Sequence, residues 1–427
     1  MDLSYKTPKR RAPAAPIAIA CLAAACAPAA DARQPSSVGS IPTAVPSAPS
    51  GPSKQARELV EAMSLEDKCA QLLMIGVEGT SALAQSSRRF LERFPAGGVV
   101  LFSFNVPRDD VRGLAGLTGG IQDALLGDGD GIPAFIAIDH EGGSVFRFAR
   151  GVTRLPAAQS VGSRPDRADY ARALGEVAAL ELRALGVTMN LAPVVEASDA
   201  RSERFLRSRA YSSDPIECDE AAGAFIEGMS AKGLPCAIKH FPGNAEADPH
   251  RALPVIPLGR EEARSSLFAR FASAIRHAPA AVMLSHAMLP SWDAAMPATL
   301  SATLVTEVLK RELGFSGIAL TDDVMMKGLT ADRSPEEAAV LAVLAGCDML
   351  MVTGGSHVLP IRDALVKAVR EGRVPEGRID DAVARIVDQK LRYSLWDEFD
   401  ADARATRLKE FPRLVAANAE SLKRFAE

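Results

Sequence analysis

The chain has 427 residues, 48% of them apolar, enough for one large domain or two medium ones with a sizeable core. A net charge of −4 and a pI near 6.0 exclude a basic field for nucleic acid. Aromatic residues make up only 5%. That argues against a broad aromatic-lined polysaccharide surface and for a small pocket built from charged and backbone groups.

Residues 1–26 read as an export signal. Lys6, Lys9, Arg10 and Arg11 form a positive start, and Ala14 to Ala25 is an apolar stretch too short to span a bilayer. Small residues precede Cys26 in LAAAC, which resembles the lipobox of bacterial lipoproteins, with Ala23 where Leu is usual. The expectation is an exported protein, periplasmic or membrane-anchored by lipidation of Cys26. Residues 27–53 are rich in Pro, Ser and Ala and read as a flexible tether. Cys69, Cys218, Cys236 and Cys347 lack CxxC spacing, so no zinc site is expected. Cys236 and Cys347 lie in apolar runs and read as buried thiols; one disulfide remains open in an exported protein.

From Ser53 onward, short β-rich runs alternate with helical stretches. The runs are QLLMIGVEG, GGVVLFSFN, PAFIAIDHEGG, VTMNLAPVVE, LPCAIKHFPG, AAVMLSHAMLP, GIALTDDVMM and CDMLMVTGG. Continuous rather than alternating apolar strands imply burial on both faces, as in a parallel sheet. The intervals hold amphipathic segments such as DRADYARALGEVAALELRALG. Eight strand–helix units predict a single α/β domain, a (β/α)8 TIM-type barrel over residues 54–395, with a C-terminal helical extension over 396–427. A doubly wound open sheet is the competitor.

Ionisable groups close the runs: Asp139-His140-Glu141 the third, Lys239-His240 the fifth, Ser285-His286 the sixth, Asp322-Asp323 the seventh. In a barrel this end carries the active site. Asp322 is placed to attack carbon or stabilise a cation, or else to cap the next helix; Asp323 is assigned the cap. Asp248 and His250, two apart on a loop, suit a carboxylate holding an imidazole for proton transfer, or else are incidental solvated charges. Glu246 reads as solvated. Lys239 and His240 suit sugar hydroxyls; Lys239 also suits a Schiff base, and His240 a near-core histidine. Asp139 and Arg147 flank a Gly-Gly turn and either pair with each other or reach substrate. Arg209 reads as a surface arginine or a ligand-binding one, and His286 as packing or function. Met325 and Met326 read as wall or core.

Taken together, the segments IDHEGGSVFRF, MNLAPVVE, SRAYSSDP, IKHFPG, the Asp-x-His of DPH, MPATLS, ALTDD and GRVPEGRIDDAVARIV resemble the bacterial β-N-acetylglucosaminidases of glycoside hydrolase family 3, over roughly Ser53 to Leu395. The joint order of these pieces is far more specific than any one of them. The resemblance implies Asp322 as nucleophile and His250 as general acid/base, with Asp248 as its partner in a dyad. It implies that Asp139, Arg147, Arg209, Lys239 and His240 bind the sugar, and that the peptides Lys239-His240 and Phe241-Pro242 are cis. The implied activity is retaining, exo-acting hydrolysis of terminal β-linked N-acetylglucosamine from peptidoglycan fragments, with no cofactor or metal. The expected partner is a small saccharide or muropeptide, bound by a monomer.

The chain departs from the family pattern in places. KHFPGNA stands for the usual KHFPGHG, so Asn244 replaces His and Ala245 replaces Gly. The loop to Asp-x-His is about two residues shorter, and Pro249 stands where Ser is common. His140 replaces the commoner Gln, and Ser144 an Arg. The competing reading is a non-catalytic wall lipoprotein that binds N-acetylglucosamine (GlcNAc) or muropeptides with a degraded loop. A Schiff-base lyase using Lys239 is a third.

Overall fold

The computed structural model describes residues 51–127, 131–245, 247, 252–330, 332–396 and 401–426. The export-signal, lipobox and tether readings up to Ser50, and the expectations for Glu246, Asp248 and His250, lie outside the described residues.

Among the described residues ten strands follow in chain order: β1 (Leu73–Gly76), β2 (Gly98–Leu101), β3 (Phe135–Ile138), β4 (His140–Gly142), β5 (Val145–Phe146), β6 (Met189–Asn190), β7 (Ala237–Phe241), β8 (Ala281–Leu284), β9 (Ile318–Asp323) and β10 (Met349–Val352). Eight of them form one parallel sheet in the order β6-β3-β2-β1-β10-β9-β8-β7. Each of the eight apolar runs supplies one of these strands. The two ends of the sheet meet through parallel bridges Asn190–Cys236 and Val194–Lys239. Asn190 N–H donates to the Pro235 carbonyl at 3.0 Å, and Val195 N–H to the Lys239 carbonyl at 3.1 Å. The eight strands therefore make a barrel, and the open-sheet alternative is set aside.

Most of these strands are buried on both faces, as their unbroken apolar runs require. Inward-pointing Met74, Val100, Phe135, Met189, Met283, Leu320 and Met351 fill the barrel, and a larger core packs between strands and helices. Helix boundaries follow local chemistry. Pro215–Ala231 starts behind Asp214, whose carboxylate accepts from the Ile216 and Glu217 N–H groups, with Pro215 in the first turn. Pro335–Ala345 starts behind Ser334 and stops at Gly346, whose φ of 119° suits glycine.

One element was not separable in the sequence. Between β3 and the next helix, β4 and β5 form a small antiparallel hairpin. Its turn uses Gly142 (φ 96°) and Gly143 (φ 54°), where a side chain would be strained. The last helix, Ala401–Leu422, folds back on the helix Arg167–Ala184, where Asn418 Nδ2 donates to Glu181 at 3.0 Å. Cys69, Cys218, Cys236 and Cys347 are buried free thiols, so the disulfide left open does not form among them.

Lys390 is fully buried on the helix Glu376–Arg392, against the barrel. Its ammonium donates to Gln71 Oε1 at 2.9 Å and lies 5.5 Å from the centre of the Phe135 ring. Burial holds its pKa well below the ordinary 10.5. Between the lowered value and 10.5 the unfolded chain binds more protons, so this group's contribution to stability improves as pH rises through that window. Urea unfolding of wild type and Lys390→Met from pH 7 to 10 should show wild type gaining on the variant, by up to about 1.4 kcal/mol per pH unit inside the window. Parallel stability curves would show that the amine is not desolvated.

Candidate active site

The C-terminal ends of β3, β6 and β7 carry a linked set of charges. Lys239, the third of the five residues of β7, is 2% exposed. Its ammonium donates to Asp139 Oδ1 at 2.7 Å and lies 2.7 Å from Glu141 Oε1. Asp139 Oδ2 accepts from Arg147 Nη2 at 2.9 Å. Both oxygens of Glu141 accept from Arg209, each at 2.8 Å. The third carboxylate, Glu196, follows β6. Its Oε1 accepts from the His240 backbone N–H at 3.1 Å, lies 2.8 Å from His240 Nδ1, and accepts from Asn244 Nδ2 at 2.9 Å. A carboxylate accepts only, so the proton sits on Nδ1; Nε2 then faces Arg209 Nη2 at 3.4 Å as acceptor. Three carboxylates (Asp139, Glu141, Glu196) meet three cations (Arg147, Lys239, Arg209), and the set is neutral.

The charges hold one another ionised. Burial opposes ionisation of Asp139, but Lys239 and Arg147 hold its carboxyl well below the usual range. Burial likewise opposes Glu141, yet Lys239 and Arg209 hold it down at about 2. Burial pulls Lys239 down, and the Asp139 and Glu141 carboxylates outweigh it and raise the pKa. An amine paired with two carboxylates and held toward its charged form is a poor nucleophile, which speaks against the Schiff-base reading of Lys239.

The peptides Lys239-His240 and Phe241-Pro242 are cis, as the resemblance implied, and Ala192-Pro193 is also cis. Asn190 clamps the start of the β4 hairpin: its Oδ1 accepts from His140 N–H at 3.1 Å and its Nδ2 donates to the His140 carbonyl at 3.2 Å.

Asp322, near the end of β9, is half-buried, and its Oδ1 accepts from the Asp323 N–H at 2.8 Å. Asp323 ties down the turn: Oδ1 accepts from Met325 N–H at 3.1 Å and from Thr353 N–H at 3.2 Å, and Oδ2 takes the Thr353 hydroxyl. The capping duty expected of Asp323 is thus spent on a turn and on β10. His286 supports the same strand end, with Nε2 donating to the Asp323 carbonyl at 3.0 Å and Nδ1 2.7 Å from the Thr299 hydroxyl. Met325 is half-buried against the core, and Met326 is buried.

The structure therefore joins Asp139, Arg147, Arg209, Lys239 and His240 in one cluster and sets Asp322 on the same barrel face. Arg147 pairs with Asp139, and Arg209 is no surface residue. Glu141 was named from the sequence only as closing the third run, with no role, and Glu196 and Asn190 were not singled out, although Glu196 also closes an apolar run, the signal that picked out its neighbours. Among the described residues no group of three or more His, Cys, Asp or Glu side chains is set to hold a metal.

Residues 64–389 match the glycosyl hydrolase family 3 N terminal domain. The chain belongs to glycosyl hydrolase family 3. Its relatives include a β-hexosaminidase of Idiomarina loihiensis, 34% identical over 66% of this chain and 83% of the relative. Another, from Pseudomonas aeruginosa, is 35% identical over 66% of this chain and 81% of its own. Among solved structures, a family 3 β-N-acetylglucosaminidase from Paenibacillus sp. str. FPU-7 superposes with a TM-score of 0.75 at 30% identity, over 82% of this chain and 68% of that one. A β-N-acetylhexosaminidase from Beutenbergia cavernae gives a TM-score of 0.69 at 28% identity, over 76% of this chain and 98% of that one.

Two departures from the family 3 pattern have a physical account. Asn244 supplies an amide donor to Glu196. His140 is buried among Phe146 and Phe148, and burial, with Arg154 nearby, pushes its imidazole down to about 3.

Two expectations follow. Glu141→Ala strands the Arg209 guanidinium and half of the Lys239 shell, and should cost about 3–5 kcal/mol in urea unfolding. A loss below about 0.5 kcal/mol would mean the network is not closed. His140 stays neutral in the fold and charges in the unfolded chain, so it costs stability progressively as pH falls from about 6.5 toward 3. His140→Gln should therefore gain on wild type as pH drops from 7 to 4.

Proposed function

We propose that this chain is a retaining, exo-acting β-N-acetylglucosaminidase that uses Asp322 as nucleophile. That it is a glycoside hydrolase of the β-hexosaminidase kind follows from its family and its relatives. The finer reading is carried by one observation: a neutral but densely charged cluster at the ends of β3, β6 and β7, on the barrel face that also carries the Asp322 carboxylate. Such a cluster presents fixed donors and acceptors suited to sugar hydroxyls. Asp139, Arg147, Arg209, Lys239 and His240 are the hydroxyl-binding residues in this reading, and Glu141 and Glu196 hold them in place.

Bond cleavage builds positive charge on the anomeric carbon and negative charge on the departing oxygen. An Asp322 oxygen bonds the anomeric carbon as the bond to the leaving oxygen breaks, and the His250 imidazolium gives that oxygen its proton. Water then attacks the same carbon, gives its proton to His250, and releases Asp322. Asp248 orients the imidazole. The roles of His250 and Asp248 rest on the DPH sequence and the family resemblance. The source of the substrate in peptidoglycan, and export with a lipid tether at Cys26, belong to this proposal on the same footing. A cell fractionation with intact-mass measurement of the membrane fraction tests the tether.

Turnover of an aryl β-GlcNAc glycoside should release the β-anomer first, read by proton NMR. Asp322→Ala should lose about 10³–10⁶-fold in kcat, and His250→Ala about 10²–10⁴-fold. Wild-type rates in Asp322→Ala would sink the assignment. GlcNAc binding without turnover in the wild type would favour the non-catalytic reading instead.

A further inference from the structure

The barrel mouth has a second half that the charged cluster does not reach. The ends of β1, β2 and β10 enclose a groove of about 760 Å³ whose walls include Val77, Glu78, Phe90, Phe102, Phe104 and Thr353. That volume lies within the range of about 300–1,000 Å³ usual for small-molecule sites. The groove adjoins the strand that carries Asp322. Thr353, on its wall, gives both its N–H and its hydroxyl to the Asp323 carboxylate. The next residue, Gly354, lies so close to the Met325 side chain that a Cβ there would come within 3.2 Å of it.

Two phenyl rings stand at the lip. Phe104 is 65% exposed and stacks on Phe102 at 5.6 Å with an interplanar angle of 19°. The loop that carries them is held firmly. The fully buried Asn105 accepts the Phe102 N–H at 3.0 Å and donates to the carbonyls of Val77 at 3.0 Å and Gly79 at 2.9 Å. One amide thus fastens the end of β2 to the end of β1 and holds an apolar ring out in water, in a chain that has few aromatics to spend. A rigid, exposed aromatic ring at the edge of a cleft offers a flat apolar face on which a ligand ring can stack. Among the described residues that line the groove, Glu78 is the sole charged one, and its Oε2 accepts from the Ser86 hydroxyl at 3.1 Å. A carboxylate amid phenyl rings accepts a hydroxyl or amide N–H and disfavours an anion.

We propose that this groove is the leaving-group subsite, and that it takes an uncharged N-acetylhexosamine ring with its C–H face on Phe104 and a polar hydrogen on Glu78. The proposal rests on the β-N-acetylglucosaminidase reading above. It adds a preference: a ring whose lactyl carboxylate is free is the poorer leaving group, whereas the amide-linked lactyl group of a muropeptide carries no charge at that position.

The test compares three substrates: N,N′-diacetylchitobiose, the disaccharide GlcNAc-β-1,4-N-acetylmuramic acid with its lactyl carboxylate free, and GlcNAc β-fluoride, whose leaving group has no ring. Phe104→Ala should lower kcat/KM on chitobiose about tenfold and leave the fluoride within about twofold. Phe104→Tyr should restore chitobiose cleavage. Wild type should favour chitobiose over the muramic acid disaccharide, and Glu78→Gln should narrow that preference. Equal losses on chitobiose and fluoride, or no loss on either, overturn the subsite. A wild-type preference for the muramic acid disaccharide overturns its charge selectivity. A wild type that cleaves aryl GlcNAc glycosides but shows these outcomes fails only this inference. A wild type that cleaves neither the aryl glycoside nor the fluoride fails the activity itself, and the subsite with it.

Discussion

The Lys239 ammonium, from the middle of β7, has a carboxylate on either side, Asp139 and Glu141, both 2.7 Å away. Those carboxylates reach on to Arg147 and Arg209, so one buried cation binds together the β3 end, the β4–β5 hairpin, the β7 end and the segment that carries Arg209. Burying such a set adds little net stability, because desolvation consumes most of the Coulombic gain. Its consequence is geometric. Each group is tolerated only while its partners are in place, so loop positions that would otherwise drift are held together or lost together. The donors and acceptors of the mouth are therefore fixed before any sugar arrives, which is what an orienting site requires.

Much of this arrangement was visible in the chain. Eight continuous apolar runs gave the barrel, because strands buried on both faces need no alternation. Ionisable residues at the ends of those runs marked the open face. What the runs did not reveal was pairing. Asp139 and Lys239 are 100 residues apart, and Glu141 and Arg209 are 68 apart; nothing local to either says which partner the barrel curvature will bring. Arg209 read equally well as a surface arginine, since its bidentate carboxylate comes from another strand end. Glu196 and Asn190 were passed over for a similar reason. Asn190 spends its amide on the His140 backbone at the start of the β4–β5 hairpin, and Glu196 takes the His240 backbone N–H along with two side chains across the β6–β7 seam; a backbone partner leaves no mark on the sequence.

The face then divides by chemistry. The ends of β3, β6 and β7 are charged and largely buried; the ends of β1, β2 and β10 are lined by aromatic and aliphatic groups with one carboxylate. Asp322 stands on β9, beside β10 in the sheet, and Asp323 ties it there through Thr353. Under the proposed function and subsite, this split suits the reaction. Tight, directional contacts belong on the sugar that is distorted toward the transition state, whereas the departing half must leave, and stacking holds it without many hydrogen bonds to break.

The root of the loop between β7 and Asp-x-His shows how one departure from the family pattern fits this scheme. Glu196 Oε1 collects three donors there: the His240 N–H, His240 Nδ1 and Asn244 Nδ2. An imidazole in place of Asn244 would donate from a group that titrates near neutral pH, and when protonated it would add a fourth cation to a set that already balances. The Asn244 amide donates at every pH and carries no charge. The donor that Asn244 adds to the anchor is thereby independent of protonation.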